Sequence, residues 1–156
     1  LEPKALYNAK PAMAVVPEGF EVPFGKARIR KEGRDLTILT YGNTVHHCLE
    51  VANEMENEAS IEVIDLRSLV PLDEEAIFKS LEKTNRCLVV HEDKVHGGFG
   101  GELVALINEK GFELLDAPVR RVGSTFTPVG FNRILEKATL PNAEKIKKAV
   151  IDILDY

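Results

Sequence analysis

The sequence predicts a three-layer α/β/α domain with a mostly parallel sheet of about five strands and one antiparallel edge strand. The first observation is that short runs of β-branched and apolar residues alternate with segments whose apolar side chains recur at helical spacing. Such alternation implies right-handed β-α-β crossovers and helices on both faces of the sheet. The second is length: 156 residues make one domain, enough to bury roughly 70% of the surface that the unfolded chain exposes.

The N-terminal region differs from the rest. Residues 1–25 hold four prolines and show no sustained periodicity, which is typical of a linker or a wrapping arm. The domain itself is therefore predicted over residues 26–156. It begins with a basic strand at 27–31, where Ala27 and Ile29 alternate with arginines, as expected of an edge strand with one solvated face. Its positive charges also discourage pairing with other edges.

Four elements follow in order. Residues 36–42 form an apolar strand, and the next helix begins at an N-cap formed by Asn43 or Thr44. Its buried face comprises Val45, Cys48, Leu49, Ala52 and Met55. A strand at 60–66 then precedes a helix at 71–84. That helix is predicted to be capped by Asp73 and to turn Ile77, Phe78 and Leu81 inward.

The C-terminal half repeats the pattern. A nearly continuous apolar run at 86–92 predicts a strand covered on both faces. A glycine-rich turn leads into a helix through residues 102–110 that Gly111 closes, and a further strand lies near 117–123. The last helix starts after Pro141 and carries one apolar stripe: Ile146, Ala149, Val150, Ile153 and Leu154.

The composition excludes several classes of protein. With 44% hydrophobic and 29% charged residues it is that of a globular protein in water, and no apolar run approaches the ~18 residues of a membrane span. A net charge of −5 argues against a general nucleic-acid binder, which needs a basic surface. Cys48 and Cys87 form no CxxC motif, so we expect two buried thiols in a reducing cytoplasm.

The stretch HEDKVHGGFGGEL, residues 91–103, is the candidate site. Two histidines, His91 and His96, are too few for a zinc site, and the paired His46 and His47 are expected to be surface and packing residues. His91 and Glu92 cannot form a catalytic dyad, because neighbouring strand residues point to opposite faces. A glycine turn before a helix suits phosphate, but GGFGGE matches neither dinucleotide nor P-loop motifs. The glycines are equally explained by positive φ angles and close approach of the strand to the helix.

Several phrases in order resemble one family. LEPKALY, EVIDLRSLVPLDEEAI, KTNRCLVVHEDKVHGGFGGEL and APVRRVGSTFTP together resemble the C-terminal part of the β subunit, or β half, of thiamine-diphosphate-dependent 2-oxoacid dehydrogenases of the branched-chain (2-oxoisovalerate) or pyruvate type. Transketolase and deoxyxylulose-phosphate synthase share this domain and are the near alternatives. A free-standing dimerisation or anion-binding module is the alternative from another class.

The resemblance implies an assembly role. In the family, thiamine diphosphate and Mg are held by other domains, so no catalytic, cofactor-binding or metal-binding residue is expected on this chain. The parent enzyme decarboxylates a 2-oxoacid and reductively acylates lipoyl groups, and LEPKALY matches the end of the preceding pyrimidine-binding domain. We therefore expect an excised, inactive domain from a cytoplasmic enzyme, or a mitochondrial matrix enzyme in a eukaryote.

The resemblance also implies partners and a contact surface. The expected partners are the decarboxylase α subunit or half, a second β subunit, and the subunit-binding domain of the lipoyl acyltransferase, with no nucleic acid and no membrane. The turn is expected to face the neighbouring domain. The residues of this expected domain interface are His91, Glu92, His96, Gly97, Gly98, Phe99 and Gly100, with Gly101 helping to set the backbone shape.

Overall fold

The computed structural model describes residues 4–7 and 15–156. Five strands form one sheet in the order β1-β3-β2-β4-β5, and all neighbours are parallel except the antiparallel pair β1 and β3. The strands are β1 (Arg28–Lys31), β2 (Leu36–Thr40), β3 (Ile61–Asp65), β4 (Cys87–Lys94) and β5 (Arg120–Ser124). The predicted fold class is confirmed, including the antiparallel strand at one edge.

Helices cover both faces of this sheet. The helices are α1 (Thr44–Glu54), α2 (Glu74–Thr84), α3 (Gly100–Gly111), α4 (Arg133–Thr139) and α5 (Ala143–Leu154). Alternate strand residues enter two separate cores: Ile38 packs with α1 and α5, whereas its neighbour Leu39 packs with α2 and α3. The sheet is therefore the middle of three layers, as the predicted crossovers require.

Helix α2 shows why the local sequence determines the element. Asp73 accepts a hydrogen bond from the backbone N–H of Ala76 at 3.3 Å, which confirms the predicted N-cap. Its second carboxylate oxygen accepts from the N–H of Ala27 at 2.9 Å and so ties the start of the domain to this helix. The helix ends at Asn85, whose φ of 55° is left-handed and whose N–H donates to the carbonyl of Leu81.

Some predicted boundaries differ from the observed ones. Strand β4 continues two residues beyond 92 to Lys94, and α3 begins at Gly100 instead of near 102, so the turn comprises only residues 95–99. Asn43 occupies the N-cap position of α1 but makes no side-chain capping bond, while the Thr44 hydroxyl donates to the carbonyl of Tyr41. Gly111 does end α3, but it leads directly into a 3-10 turn at Phe112–Leu114.

Helix α4 was not predicted. Asn132 caps it by accepting from the N–H of Ile134 at 2.8 Å. Ile134 and Leu135 are exposed, so its apolar residues do not form the inward stripe that identifies a helix packed on a core.

The edge strand is less covered than expected. Ile29 pairs with Ile64 and therefore points to the face of α2 and α3, yet 44% of its surface is exposed. Helix α2 covers β3 but leaves this part of β1 open.

Both cysteines lie inside the domain. Cys48 and Cys87 are free and buried, as predicted, and burial raises the pKa of each thiol to about 12.

The predicted arm at 1–25 includes residues 1–3 and 8–14, which lie outside the described residues. Its described parts hold a 3-10 turn at Lys4–Leu6 and a turn in which the N–H of Phe20 donates to the carbonyl of Pro17. Among all described residues, no helix is long and apolar enough to cross a bilayer.

Candidate functional site

A buried imidazole lies at the centre of the predicted site. His91, on β4, has no exposed surface. Three glycines surround its ring, and we call them the glycine cage: Gly98, Gly100 and Gly123. A Cβ placed on Gly100 would lie 2.3 Å from Nε2 of His91, while one on Gly98 or Gly123 would lie 3.0 or 2.9 Å from Cε1. A Cβ at Gly100 would therefore displace the imidazole. One at Gly98 would first meet the carbonyl oxygen of Lys94, at 2.2 Å, and one at Gly123 would meet that of Asp93, at 2.9 Å, as closely as the ring.

Aromatic rings complete the surroundings of His91. The ring of Tyr41, at the end of β2, lies parallel to the imidazole, with 3° between the planes and 6.3 Å between the centroids. Phe99 meets Tyr41 edge to face at 6.4 Å. Residues at the carboxyl ends of β2 and β4 thus pack with the turn before α3, at the edge where doubly wound sheets commonly bind ligands.

The imidazole of His91 is not held by a well-formed hydrogen bond at either ring nitrogen among the described residues. Burial lowers the pKa of His91 below its ordinary value; Arg121 acts in the same direction, while the carboxylate and backbone of Asp93 oppose it. The ring is thus neutral at neutral pH and has no surface through which a substrate could reach it.

The remaining turn residues divide into buried and exposed ones. Gly98 and Gly100 are buried, whereas His96 and Gly97 are exposed. Gly97 has a φ of +77° and open space around it, so its backbone conformation is what favours glycine there. Glu92 is half-buried, and its carbonyl accepts a hydrogen bond from the Ser124 hydroxyl.

The distances around His91 explain why glycines occupy this turn. An added Cβ at Gly98 would meet the carbonyl oxygen of Lys94 at 2.2 Å, and one at Gly100 would meet Nε2 of His91 at 2.3 Å, so both glycines permit close approach of the turn to β4. The described residues contain no group of three or more His, Cys, Asp and Glu side chains able to hold a metal ion. The described residues of the turn therefore include no ligand group that fits the metal of thiamine diphosphate.

An exposed apolar surface adjoins the turn, and sequence reasoning missed it. We call Phe126, Val129, Phe131, Ile134 and Leu135 the apolar surface; their exposed fractions run from 57% to 108%. The ring of Phe126 contacts that of His96, with 4.7 Å between centroids. Lys94 also donates from Nζ to the carbonyl of Thr127 at 2.6 Å. Five large apolar residues within ten positions were the feature of the sequence that indicates this surface.

Comparison with known proteins assigns the fold to a family. Residues 25–146 match the family described as transketolase, C-terminal domain. This chain belongs to that family. Helix α5 continues beyond the matched range to Leu154, and its Val150 and Ile153 are buried in the core.

Individual relatives are also similar over most of this transketolase C-terminal domain. The β subunit of acetoin:2,6-dichlorophenolindophenol oxidoreductase from Bacillus subtilis is 43% identical over 98% of this chain and 44% of its own length. The mitochondrial 2-oxoisovalerate dehydrogenase β subunit of Chaetomium thermophilum is 41% identical over 91% of this chain and 30% of its own length.

A solved structure is also similar to this chain in fold. The protein described as a split-gene transketolase, inactive β4 tetramer, superposes with a TM-score of 0.76 at 27% identity, covering 91% of this chain and 45% of its own. The chain thus spans less than half the length of each of these three proteins.

Proposed function

We propose that this chain acts as the C-terminal domain of the β subunit of a thiamine-diphosphate-dependent 2-oxoacid dehydrogenase and contributes to assembly of that enzyme. The relatives at 43% and 41% identity are both described as β subunits, one of them of 2-oxoisovalerate dehydrogenase. They favour this parent over transketolase, whose structural relative is 27% identical.

The observation that carries the proposal is the apolar surface. Large apolar patches on a protein in water mark contact with another protein, because their exposure costs free energy. Phe131, at 108% exposed, contacts little of its own domain. Phe126, another exposed residue of the apolar surface, contacts His96 of the predicted interface.

The partner at this surface is the decarboxylase α subunit or a second β subunit. The expected domain-interface set of His91, Glu92, His96, Gly97, Gly98, Phe99 and Gly100 then has two parts. The exposed His96 and Gly97 contact the partner together with the apolar surface, while the buried His91 and its glycine cage hold the backbone of the turn in position.

The chemistry of the parent enzyme lies elsewhere. When bound by the other domains, thiamine diphosphate with Mg supplies decarboxylation of the 2-oxoacid, so the isolated domain is inactive. His91 supports the interface and does not transfer protons, since its ring is fully enclosed. In the complete enzyme, His91→Ala should weaken assembly and change activity modestly. A loss near the ~10⁴-fold typical of a general acid or base would overturn this assignment.

Association measurements test the assembly role. In one experiment the 156-residue chain is mixed with the purified α subunit and complex formation is measured. In a second experiment the chain is sedimented by itself, to detect association of two copies. Phe131→Ser should abolish whichever complex forms. Phe112→Ser is the matched control, because Phe112 is an exposed phenylalanine (69%) outside the apolar surface. Equal binding by both variants, or no complex with either partner, would contradict the role.

Docking of the lipoyl acyltransferase is a separate part of the proposal. Titrating the acyltransferase subunit-binding domain into this chain by calorimetry should show a saturable complex. Absence of heat would remove docking and leave assembly unaffected. We also propose that the parent enzyme acts in the cytoplasm, or in the mitochondrial matrix of a eukaryote. Relatives described from a bacterium and as mitochondrial support this.

A further inference from the structure

A hollow of about 480 Å³ lies beside helix α4 and the start of α5, and we call it the basic hollow. Its wall combines apolar and charged side chains: Ile134, Ala138, Arg133, Lys137, Lys145 and Glu144. Three cations against one carboxylate make this wall positive, in a chain whose net charge is −5. An occupant that carries both apolar and acidic groups would fit it.

Two of the cations are available to such an occupant. Arg133 and Lys137 are exposed, and among the described residues neither side chain makes a hydrogen bond or an ion pair. They lie four positions apart on α4 and therefore share one face of the helix. Lys145 differs, because its Nζ donates to the carbonyls of Ala138 and Leu140 at 2.6 and 2.7 Å.

The arm has the complementary chemistry. Glu18 and Glu21 are exposed on it, and neither carboxylate makes a hydrogen bond or an ion pair within residues 15–156. The stretch 15–24 contains no basic residue. It also exposes large apolar side chains, with exposed fractions from 47% to 92%: Val15, Val16, Phe20, Val22 and Phe24.

The arm and the basic hollow lie at opposite edges of the sheet. The arm leads into β1, whereas α4 follows β5, and four strand spacings, roughly 19 Å, separate these two edge strands. In the described part of the chain, no hydrogen bond or ion pair joins residues 15–24 to α4. Each copy therefore offers both halves of a contact that it does not make itself.

We propose that two copies of this chain exchange arms, so that residues 15–24 of each copy occupy the basic hollow of the other. Glu18 and Glu21 pair with Arg133 and Lys137, and Phe20 covers Ile134, which is 78% exposed in the single copy. A twofold axis makes the two contacts equivalent and closes the pair. The exchange rests on the assembly role proposed above and identifies the partner as a second β subunit.

Charge reversal on each side tests the exchange, with sedimentation of the 156-residue chain as the measurement. The hollow variant is Arg133→Glu with Lys137→Glu, and the arm variant is Glu18→Lys with Glu21→Lys. Each variant alone should associate with itself at least about tenfold more weakly than the unaltered chain, since repulsion replaces four exposed ion pairs in each dimer. An equimolar mixture of the two variants has opposite charges at both contacts and should associate about as strongly as the unaltered chain.

A control separates this pairing from the effect of net charge. Glu109→Lys with Glu113→Lys changes the net charge as much as the arm variant does, at exposed carboxylates distant in sequence from the arm and the basic hollow. This control should associate with itself like the unaltered chain. Its mixture with the hollow variant should associate more weakly than the mixture of the hollow and arm variants, because one of its two contacts stays repulsive.

Circular dichroism verifies that each variant folds, and the single changes Arg133→Glu and Glu21→Lys replace any double variant that does not. The absence of self-association of the unaltered chain in the micromolar range would overturn the exchange. A mixture of the hollow and arm variants that associates no more strongly than either alone would also overturn it. Assembly is tested separately, because neither result would alter binding of the α subunit or its loss in Phe131→Ser.

Discussion

Nε2 of His91 lies so close to the backbone of Gly100 that a Cβ at that position would come within 2.3 Å of it. Gly100 is the first residue of α3, and His91 is buried in β4. The contact therefore fixes where the helix begins relative to the sheet.

Gly100→Ala is expected to destabilise the domain by about 2 kcal/mol, because neither the helix backbone nor the enclosed imidazole can yield easily. The midpoint of urea unfolding measures this loss. Gly101→Ala provides the comparison: it is the next residue of the same helix, and the nearest atom to its new Cβ is the flexible end of Arg121 at 3.4 Å. It should not lower the midpoint, and equal midpoints for Gly100→Ala and the unaltered chain would refute the cage.

Stability should fall in acid because of His91. Burial lowers its pKa in the folded chain, so the unfolded chain binds the proton more tightly. The free energy of unfolding should be insensitive to this group well above pH 6.5, the ordinary imidazole value, and should decrease from about there down to the lower folded pKa. Tyr41, Asp93 and Arg121 are the titratable or charged groups that face the ring.

Two measurements check that pH dependence. Chemical denaturation of His91→Leu should show a smaller slope of stability against pH than the unaltered chain. The variant His46→Gln removes the other histidine whose pKa burial lowers, and so separates the two contributions. Should His91→Leu not fold, the ring resonances of His91 in the unaltered chain must still titrate below pH 6.5; titration at or above it would contradict the prediction.

Glu62→Gln should cost about 1–3 kcal/mol, since the buried carboxylate accepts from Ser80 and Lys83 and a neutral amide weakens these charge-assisted hydrogen bonds. The matched substitution is Glu54→Gln. Glu54 pairs with Lys147 at 2.6 Å on the surface and is 56% exposed, so thermal melting should barely change. Similar melting temperatures for the two variants would show that the buried network is dispensable.

Capping gives a further paired test. Asn142 accepts from the N–H of Lys145 at 3.0 Å at the start of α5, whereas Asn43 occupies the same position in α1 without such a bond. Asn142→Ala should therefore lose about 1 kcal/mol in urea unfolding, and Asn43→Ala much less. The reverse order would show that the caps act through other contacts.

The sequence predicted the elements in which the spacing of apolar residues directly reflects which side chains of that element are buried. Asp73, the apolar face of α2 and the stripe of α5 are local, so their spacing was sufficient. Helix α4 escaped prediction because Ile134 and Leu135 face outward, and the pattern of a helix that turns its apolar residues away from the core lacks the usual stripe.

The candidate site shows the same division. Its turn and its glycines were evident from residues 91–103. Gly123, however, contacts His91 from another strand. Spacing along the chain does not indicate this contact, because only the pairing of β4 with β5 brings the two residues together. The exposure of Ile29 was missed for the same reason, since it depends on how far α2 extends across the sheet.

The strand order also constrains how the chain folds during synthesis. β1 leaves the ribosome before β3, the strand it pairs with, and β2 and α1 must be made in between. Until residue 65 has emerged, β1 is a strand without a neighbour, at a stage when unpaired strands aggregate most readily. We expect the arginines of β1 to disfavour pairing between nascent chains over that interval, a protection that acts before the domain has formed.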